Sequence, residues 1–354
     1  MLPTFQIQNS PIYFGPLAET LPAWLDQHHY SQILVLTDEH THQHCLPQFL
    51  KATSLTGKII HVEIPAGENA KQLSTCAQIW QSMLDAKLDR KSLCVNLGGG
   101  VIGDMGGFCA ATWKRGIDFI QVPTTLLSMT DASIGGKTGI DFQGIKNTIG
   151  VFQQPSAVFA DPGFLQTLPE RELRSGFAEV LKHAVIGNPA LALEIKQSFL
   201  STDMPLNLPW NTILPASIEV KVQIVQQDPL EKGLRMLLNF GHSIGHALES
   251  WYLETDTPLT HGEAIYIGMI CEAYLEGRQS LLDQVLSLGQ NIFPRINIPE
   301  TAFSALWESM QQDKKNSSGK VRLALPDENP YSLKILEIEN VDLQRSLRYY
   351  NALD

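Results

Sequence analysis

The chain has 354 residues, 44% hydrophobic and 18% charged, which suits a folded globular protein and excludes a disordered one. Its formal net charge of -11 argues against a broad nucleic-acid surface, while a small basic pocket stays compatible with it. Five scattered cysteines, Cys45, Cys76, Cys94, Cys109 and Cys271, lack the paired spacing of a thiolate metal site and point to a reducing compartment.

The opening residues carry no basic flank before an apolar run, and no segment approaches the ~20 apolar residues that span a bilayer. The expectation is a cytoplasmic protein without a membrane partner. Residues 32–36 read as a buried strand ending at Thr37-Asp38-Glu39. Residues 58–64 read as another, stopped by Pro65-Ala66-Gly67. Leu73, Cys76, Ala77, Ile79, Trp80, Met83 and Leu84 recur with helical spacing over 73–86. A compact strand over 93–97 runs straight into Gly98-Gly99-Gly100, and 117–122 is a further strand closed by Pro123. Short buried strands alternating with helices predict an α/β fold with a largely parallel sheet.

From about Pro169 long helical spacings take over, at 174–186, 213–227, 241–251 and 262–275. The expectation is an α/β, Rossmann-like nucleotide-binding domain over 1–160 and a mostly α-helical metal and substrate domain over 161–354. Residues 207–210 and 297–300 read as turns that introduce helices.

Gly98 to Asp104 follows a strand and opens a helix, where glycines let backbone approach phosphate and helix N-terminal amides favour an anion. It is neither the dinucleotide fingerprint nor a P-loop, and a glycine cluster also serves tight packing. Asp38 at a strand end is placed to accept from a ribose, and Pro123-Thr124-Thr125 supplies two hydroxyls after another strand. Ligands of open α/β sheets bind at such strand ends. The stretch from Asp131 to Gly139, followed by Lys146 and Asn147, sets Lys137, Lys146 and Asn147 among small residues, as an anion pocket requires. The competing reading is a solvent-facing loop. Arg115 could add an anion contact, or sit on the surface.

Glu179 and Lys182 are three apart in a mostly apolar helix, which places carboxylate and ammonium on one face. Asn239-Phe240-Gly241-His242 is followed by His246 and then by His261, so three of the chain's ten histidines fall between 242 and 261. Spacing permits two ligand sets for a catalytic metal: three imidazoles from His242, His246 and His261, or Glu179 with His242 and His261. Spacing does not choose between them. The His-Glu-x-x-His hydrolase signature is absent.

These segments together resemble the 3-dehydroquinate synthase family of sugar phosphate cyclases, from about Leu93 through Met269. The resemblance implies Glu179, His242 and His261 as zinc ligands, with Co2+ as an alternative, and moves His246 to the substrate. It also implies Lys137, Lys182, Lys221, Arg235, Asn239 and His246 as catalytic-site groups. Asp131, Lys146, Asn147, Glu231 and Lys315 become substrate contacts, and Arg115 reaches the neighbouring subunit of a homodimer. NAD would lie on Asp38, Gly99, Gly100, Asp104, Thr124 and Thr125, with Glu68 and Lys71 on its adenosine side. The implied substrate is 3-deoxy-D-arabino-heptulosonate 7-phosphate. Its implied course is transient oxidation by NAD, phosphate elimination, reduction, ring opening and aldol closure. Ser243 stands where many relatives carry threonine. Rival readings are another sugar phosphate cyclase, a metal-dependent alcohol dehydrogenase, and a binding module without turnover.

Overall fold

The computed structural model describes residues 4–143, 145–201, 207–312 and 320–353. They group into two compact units, Met1–Pro169 and Glu170–Asp354.

The first unit begins with an antiparallel pair, β1 (Thr4–Ile7) and β2 (Ser10–Phe14), and then α1 (Leu17–Asp26). Next come β3 (Ile33–Asp38), α2 (Glu39–His44), α3 (Leu46–Thr53), β4 (Ile60–Ile64) and α4 (Leu73–Asp85). β5 (Leu93–Gly98), α5 (Gly100–Thr112) and β6 (Asp118–Pro123) follow. The unit closes with the hairpin β7 (Lys137–Phe142) and β8 (Ile145–Phe152), then β9 (Ala157–Ala160). One seven-stranded sheet runs β1-β2-β9-β6-β5-β3-β4, parallel from β2 onward. The expected strands and helices appear with ends shifted by a few residues. The 131–147 stretch differs from a loop: its second half is the β7–β8 hairpin.

β5 is buried along its whole length, because α5 covers one face of it and Leu34, Leu36 and Met83 join the same core. Strand order reverses between β3 and β5, so their carboxyl ends diverge into a crevice. Asp38 ends β3 and Gly98 ends β5, which brings the two nucleotide candidates to that crevice from sixty residues apart.

The second unit is mainly helical. It runs α6 (Glu170–Ile186), α7 (Pro189–Ser201), α8 (Trp210–Gln227), α9 (His242–Leu253), α10 (His261–Glu276), α11 (Gln279–Gly289) and α12 (Phe303–Gln312). An antiparallel pair, β10 (Val321–Pro326) and β11 (Leu333–Ile338), and α13 (Asn340–Asn351) complete it. α10 is buried on all sides from Gly262 to Ala273, which makes it the axle against which α6, α9, α11 and α13 pack. Gly241 has φ +83°, and a side chain there would meet Met269 and the Ile265 carbonyl of α10. At Gly262 a side chain would overlap the Ser175 backbone of α6. Both glycines therefore permit the close helix approach on which the histidines depend.

Candidate active site

In the second unit, Glu179 on α6, His242 on α9 and His261 on α10 converge. One ligand atom from each lies within 4.8 Å of the others. The Nε2 atoms of His242 and His261 stand 3.7 and 3.6 Å from Glu179 Oε1. Glu179 is fully buried and neither carboxylate oxygen has a well-formed hydrogen bond. Lys182, one turn along and 1% exposed, closes on Oε2 as an ion pair, so the expected shared face is internal. His246 stacks edge-on against His242 with ring centroids 4.9 Å apart, and with Glu249 and His261 it makes a second convergent group.

Electrostatics follow from that crowding. Burial works to raise the Glu179 carboxyl, but the Lys182 ammonium and the two imidazoles outweigh it and hold it well below the usual range. Burial and Lys182 keep His242 well below the ordinary histidine value. His261 loses to burial, yet the Glu179 and Glu249 carboxylates carry it up to about 9. Lys182 answers only Oε2; Oε1 of this buried carboxylate faces two imidazoles at 3.6 and 3.7 Å, an arrangement that a shared cation would satisfy. Two nitrogens and one oxygen, with a position left open, suit a catalytic zinc-like ion. The residues present fit a divalent metal.

Outer contacts hold each ligand in place. Glu249 Oε2 lies 3.4 Å from His261 Nδ1, the carboxylate–imidazole arrangement that orients a metal-binding ring. α10 opens with a capping box between Thr260 and Glu263, and Arg171 grips Glu263 through Nε at 3.2 Å and Nη2 at 2.8 Å. Gly262 donates to Ser175 Oγ at 3.0 Å, which fastens α10 to α6 next to the site. Glu272, fully buried on α10, accepts from Gly241 at 2.7 Å and from Ile244 at 3.4 Å, at the start of α9. Burial pushes its carboxyl up to about 8 against the pull of those amides.

Beside the metal-facing residues is a cavity of about 430 Å³. Asn239, His242, Ser243 and His246 line one side, with Glu231 and Arg322 among its remaining walls. Asn239 Nδ2 donates to Glu231 Oε1 at 2.8 Å, and Glu231 takes the left-handed conformation with φ +58°. Asp228 organises this turn by accepting from Lys232, Gly233 and Arg235 at 2.9, 2.7 and 3.0 Å. Arg235 is 3% exposed and donates to the Pro229 carbonyl at 2.7 Å, and Lys221 on α8 is buried as well. Lys315 lies outside the described residues.

In the first unit, α5 starts at Gly100 with Gly99 as a side-chain-free cap, so its first amides have no capping partner. A side chain at Gly99 would come 3.1 Å from Thr125 Cγ2, which reserves the approach for backbone and ligand. Thr124, whose amide donates to Gly98 O at 3.0 Å, fixes the neighbouring strand end. Helix-start amides without a side-chain cap, beside a sheet crevice, fit a dinucleotide's pyrophosphate. Asp38 Oδ1 accepts from Thr41 at 2.7 Å as the cap of α2, and Oδ2 is not engaged by that cap.

Lys71, expected on the adenosine side of NAD, is held by several side chains of the first unit. It is 4% exposed, and Nζ reaches Asp104 Oδ2 at 2.7 Å, Asn147 Oδ1 at 2.6 Å and Glu68 at 3.8 Å. Burial alone would lower its pKa, but the Asp104 and Glu68 carboxylates raise it. Two residues expected on NAD, Asp104 and Glu68, and one expected on the substrate, Asn147, are thus joined to one ammonium. Asp131 and Lys146 are half-buried, Lys137 is exposed at the start of β7, and Arg115 is exposed with φ +71°.

Sequence comparisons decide the family. The family described as 3-dehydroquinate synthase N-terminal matches residues 61–175, and 3-dehydroquinate synthase C-terminal matches residues 176–316. The chain belongs to the 3-dehydroquinate synthase family. It is 41% identical over 332 residues to the 3-dehydroquinate synthase of Synechocystis sp., covering 91% of this chain and 90% of that one. It is 46% identical over 271 residues to the 3-dehydroquinate synthase of Rippkaea orientalis, covering 74% of each. Its fold is similar to that of a 2-epi-5-epi-valiolone synthase from Streptomyces hygroscopicus solved with NAD+ and Zn2+. The TM-score is 0.85, at 26% identity and full coverage of both chains. A 2-deoxy-scyllo-inosose synthase complexed with carbaglucose-6-phosphate, NAD+ and Co2+ shares the fold at TM-score 0.82 and 22% identity, over 98% of this chain and all of that one.

Within a 3-dehydroquinate synthase fold, four supporting residues escaped sequence reasoning: Arg171, Glu249, Glu272 and Arg322. Glu249 had a signal, because 242, 246 and 249 share one face of a helix. The other three act on partners from other elements, and no local spacing announces them.

Proposed function

We propose that this member of the 3-dehydroquinate synthase family converts 3-deoxy-D-arabino-heptulosonate 7-phosphate to 3-dehydroquinate and phosphate. The observation that carries the reading is the convergence of the buried Glu179 carboxylate with His242 and His261 beside a polar cavity. Family membership supplies the reaction class, a phosphate-eliminating lyase.

Glu179, His242 and His261 hold the divalent metal in this reading, and Asp38, Gly99, Gly100, Thr124 and Thr125 hold NAD. When bound, the metal supplies positive charge at the substrate's hydroxyl oxygens, and NAD supplies a hydride acceptor that is restored within each turnover. The chain's own residues do the positioning. Asn239 is oriented by Glu231, which turns its amide nitrogen away from the substrate and leaves its oxygen as an acceptor. His246 and Ser243 bring polar hydrogens to the same cavity wall, and Arg322 offers a guanidinium to an anionic group. Lys182 neutralises Glu179, so the site gains no net negative charge that would repel a phosphorylated acid. Positioning and fixed charge of this kind supply much of an enzyme's acceleration.

A homodimer in which Arg115 serves the neighbouring subunit belongs to the proposal, as does a cytoplasmic setting. Among the described residues no helix is long and apolar enough to cross a membrane. All five cysteines are free and buried, as in a reducing compartment. Light scattering on the purified chain tests the dimer.

The deciding experiment supplies metal-loaded protein with NAD and the seven-carbon sugar phosphate. The expected result is 3-dehydroquinate with equimolar phosphate and no accumulation of NADH. A folded, metal-loaded chain that releases no phosphate overturns the assignment. Cyclisation of a seven-carbon sugar phosphate lacking the carboxylate, in preference to this substrate, would favour a valiolone-type cyclase.

A further inference from the structure

A second constellation of metal-binding side chains lies on the first unit. His61 and Glu63 are alternate residues of the edge strand β4, so both side chains leave the same face. His42, on α2, leans over them. Its Nδ1 contacts Glu63 Oε2, and its ring centroid is 4.6 Å from that of His61. One ligand atom from each of the three lies within 4.8 Å of the others.

The group is held from outside as a metal site is. Thr37, fully buried on β3, places its hydroxyl 2.8 Å from His61 Nε2 and fixes the ring. Glu39, at the start of α2, accepts from the Ala66 amide at 2.7 Å, just past the end of β4. Helix and strand are therefore already fastened together before any ion arrives. A histidine–glutamate ion pair needs only His42 and Glu63, whereas here a third ligand-type ring, held by Thr37, is brought to the same pair. The His42 and Glu63 side chains are 50% and 43% exposed, which keeps coordination positions open to water.

We propose that His42, His61 and Glu63 form a second divalent-cation site. Two imidazoles and one carboxylate select a borderline transition ion such as Zn2+, Co2+, Ni2+ or Cu2+, and not Mg2+ or Ca2+. The site brackets Asp38: Thr37 precedes it in β3, and His42 follows in the helix that Asp38 caps. An ion bound there clamps α2 onto β4 and stiffens the turn that carries Asp38. The proposal does not depend on the enzymatic reading above.

The test is equilibrium dialysis of the full chain against Zn2+, with metal content read by elemental analysis. Wild-type chain is expected to bind two ions, and a His42→Ala, His61→Ala double variant one. Glu179→Gln is expected to lose a different ion and keep this one. Hydrogen exchange of residues 38–44 should slow on Zn2+ addition in wild type and in Glu179→Gln, but not in the double variant. Because both histidines are exposed, the double variant keeps its fold, checked by circular dichroism. With Cu2+, the spin-resonance spectrum of the Glu179→Gln chain should carry coupling to two nitrogens. Equal Zn2+ content in wild type and double variant overturns the proposal. So does ready displacement of the second ion by equimolar Mg2+.

Discussion

Glu272 Oε2 accepts the Gly241 amide at 2.7 Å from inside the protein, one residue before His242 begins its helix. That contact fixes the direction in which α9 leaves α10, and so the direction of both His242 and His246. Glu272→Ala removes the acceptor for Gly241 and Ile244 and leaves a void where nothing is exposed. The expected destabilisation is about 3 kcal/mol, from unsatisfied amides and lost packing together. Glu272→Gln keeps the shape and one acceptor and should cost about 1 kcal/mol. Urea denaturation of metal-free protein measures both. Equal stability of wild type and the alanine variant would refute the role.

Metal retention separates the roles of two residues that spacing treats alike. Glu179→Gln keeps the volume but withdraws the charge facing His242, His261 and Lys182. Its metal affinity should fall by more than ~100-fold, beyond the usual effect of an outer-sphere partner. His246→Ala should retain metal within a few-fold while turnover falls steeply. Elemental analysis after dialysis against a weak chelator gives the answer. Comparable metal loss from both variants would favour the set of three imidazoles.

Much of this site is legible in the sequence, and the reason is local. His242 and His246 share a face because they are four apart on a helix, and Glu179 and Lys182 do so at three apart. The strand ends at Asp38 and Gly98 were readable because buried strands and glycine stops leave strong composition signals. The choice of Glu179 as third ligand was not local. It depends on α6, α9 and α10 meeting, and spacing alone left His246 an equal candidate. Lys71 shows the same limit, since its partners Asp104 and Asn147 are 33 and 76 residues away. The β7–β8 hairpin escaped because β8 is largely exposed and lacks a clean apolar alternation.

Asp228 gives the cavity rim a pH dependence. Partial burial draws its carboxyl upward, but the Lys232, Arg235 and Gly233 amides outweigh that and hold it below the ordinary value of 3.8. A carboxyl depressed in the folded state adds stability above its unfolded pKa, and loses it as pH falls through the folded one. Acidification below about pH 4 should therefore loosen the turn bearing Glu231 and Arg235. Asp228→Asn should lower stability by about 1 kcal/mol at neutral pH and flatten this acid-side loss. Denaturation midpoints between pH 3 and 7, at ~1-unit steps, resolve the difference. A parallel pH profile in wild type and variant would count against it.

Arg322 is the one guanidinium among the described residues that line the cavity, where Glu231 is the one carboxylate. It lies on β10 opposite Glu337 in the strand register, with buried Val321 and Leu323 on either side, so the strand holds its backbone firmly. Its side chain is exposed at the cavity wall, and a cation beside neutral Asn239, Ser243, Ser250 and Ser309 favours an anionic substrate group before any chemistry begins. Such an interaction operates alike in the ground state and the transition state, so its loss raises KM and leaves kcat nearly unchanged. Hydrogen bonds to charged groups are worth about 1.5–3 kcal/mol, which corresponds to a KM increase of roughly 10–150-fold for Arg322→Ala. Arg322→Lys keeps the charge but not the planar fork and should recover part of the loss. Metal content should be the same in all three proteins, since Arg322 is not one of the converging ligands. Steady-state kinetics with the sugar phosphate checks the split. A fall in kcat at constant KM would show that Arg322 acts only in the chemical step and does not bind the substrate.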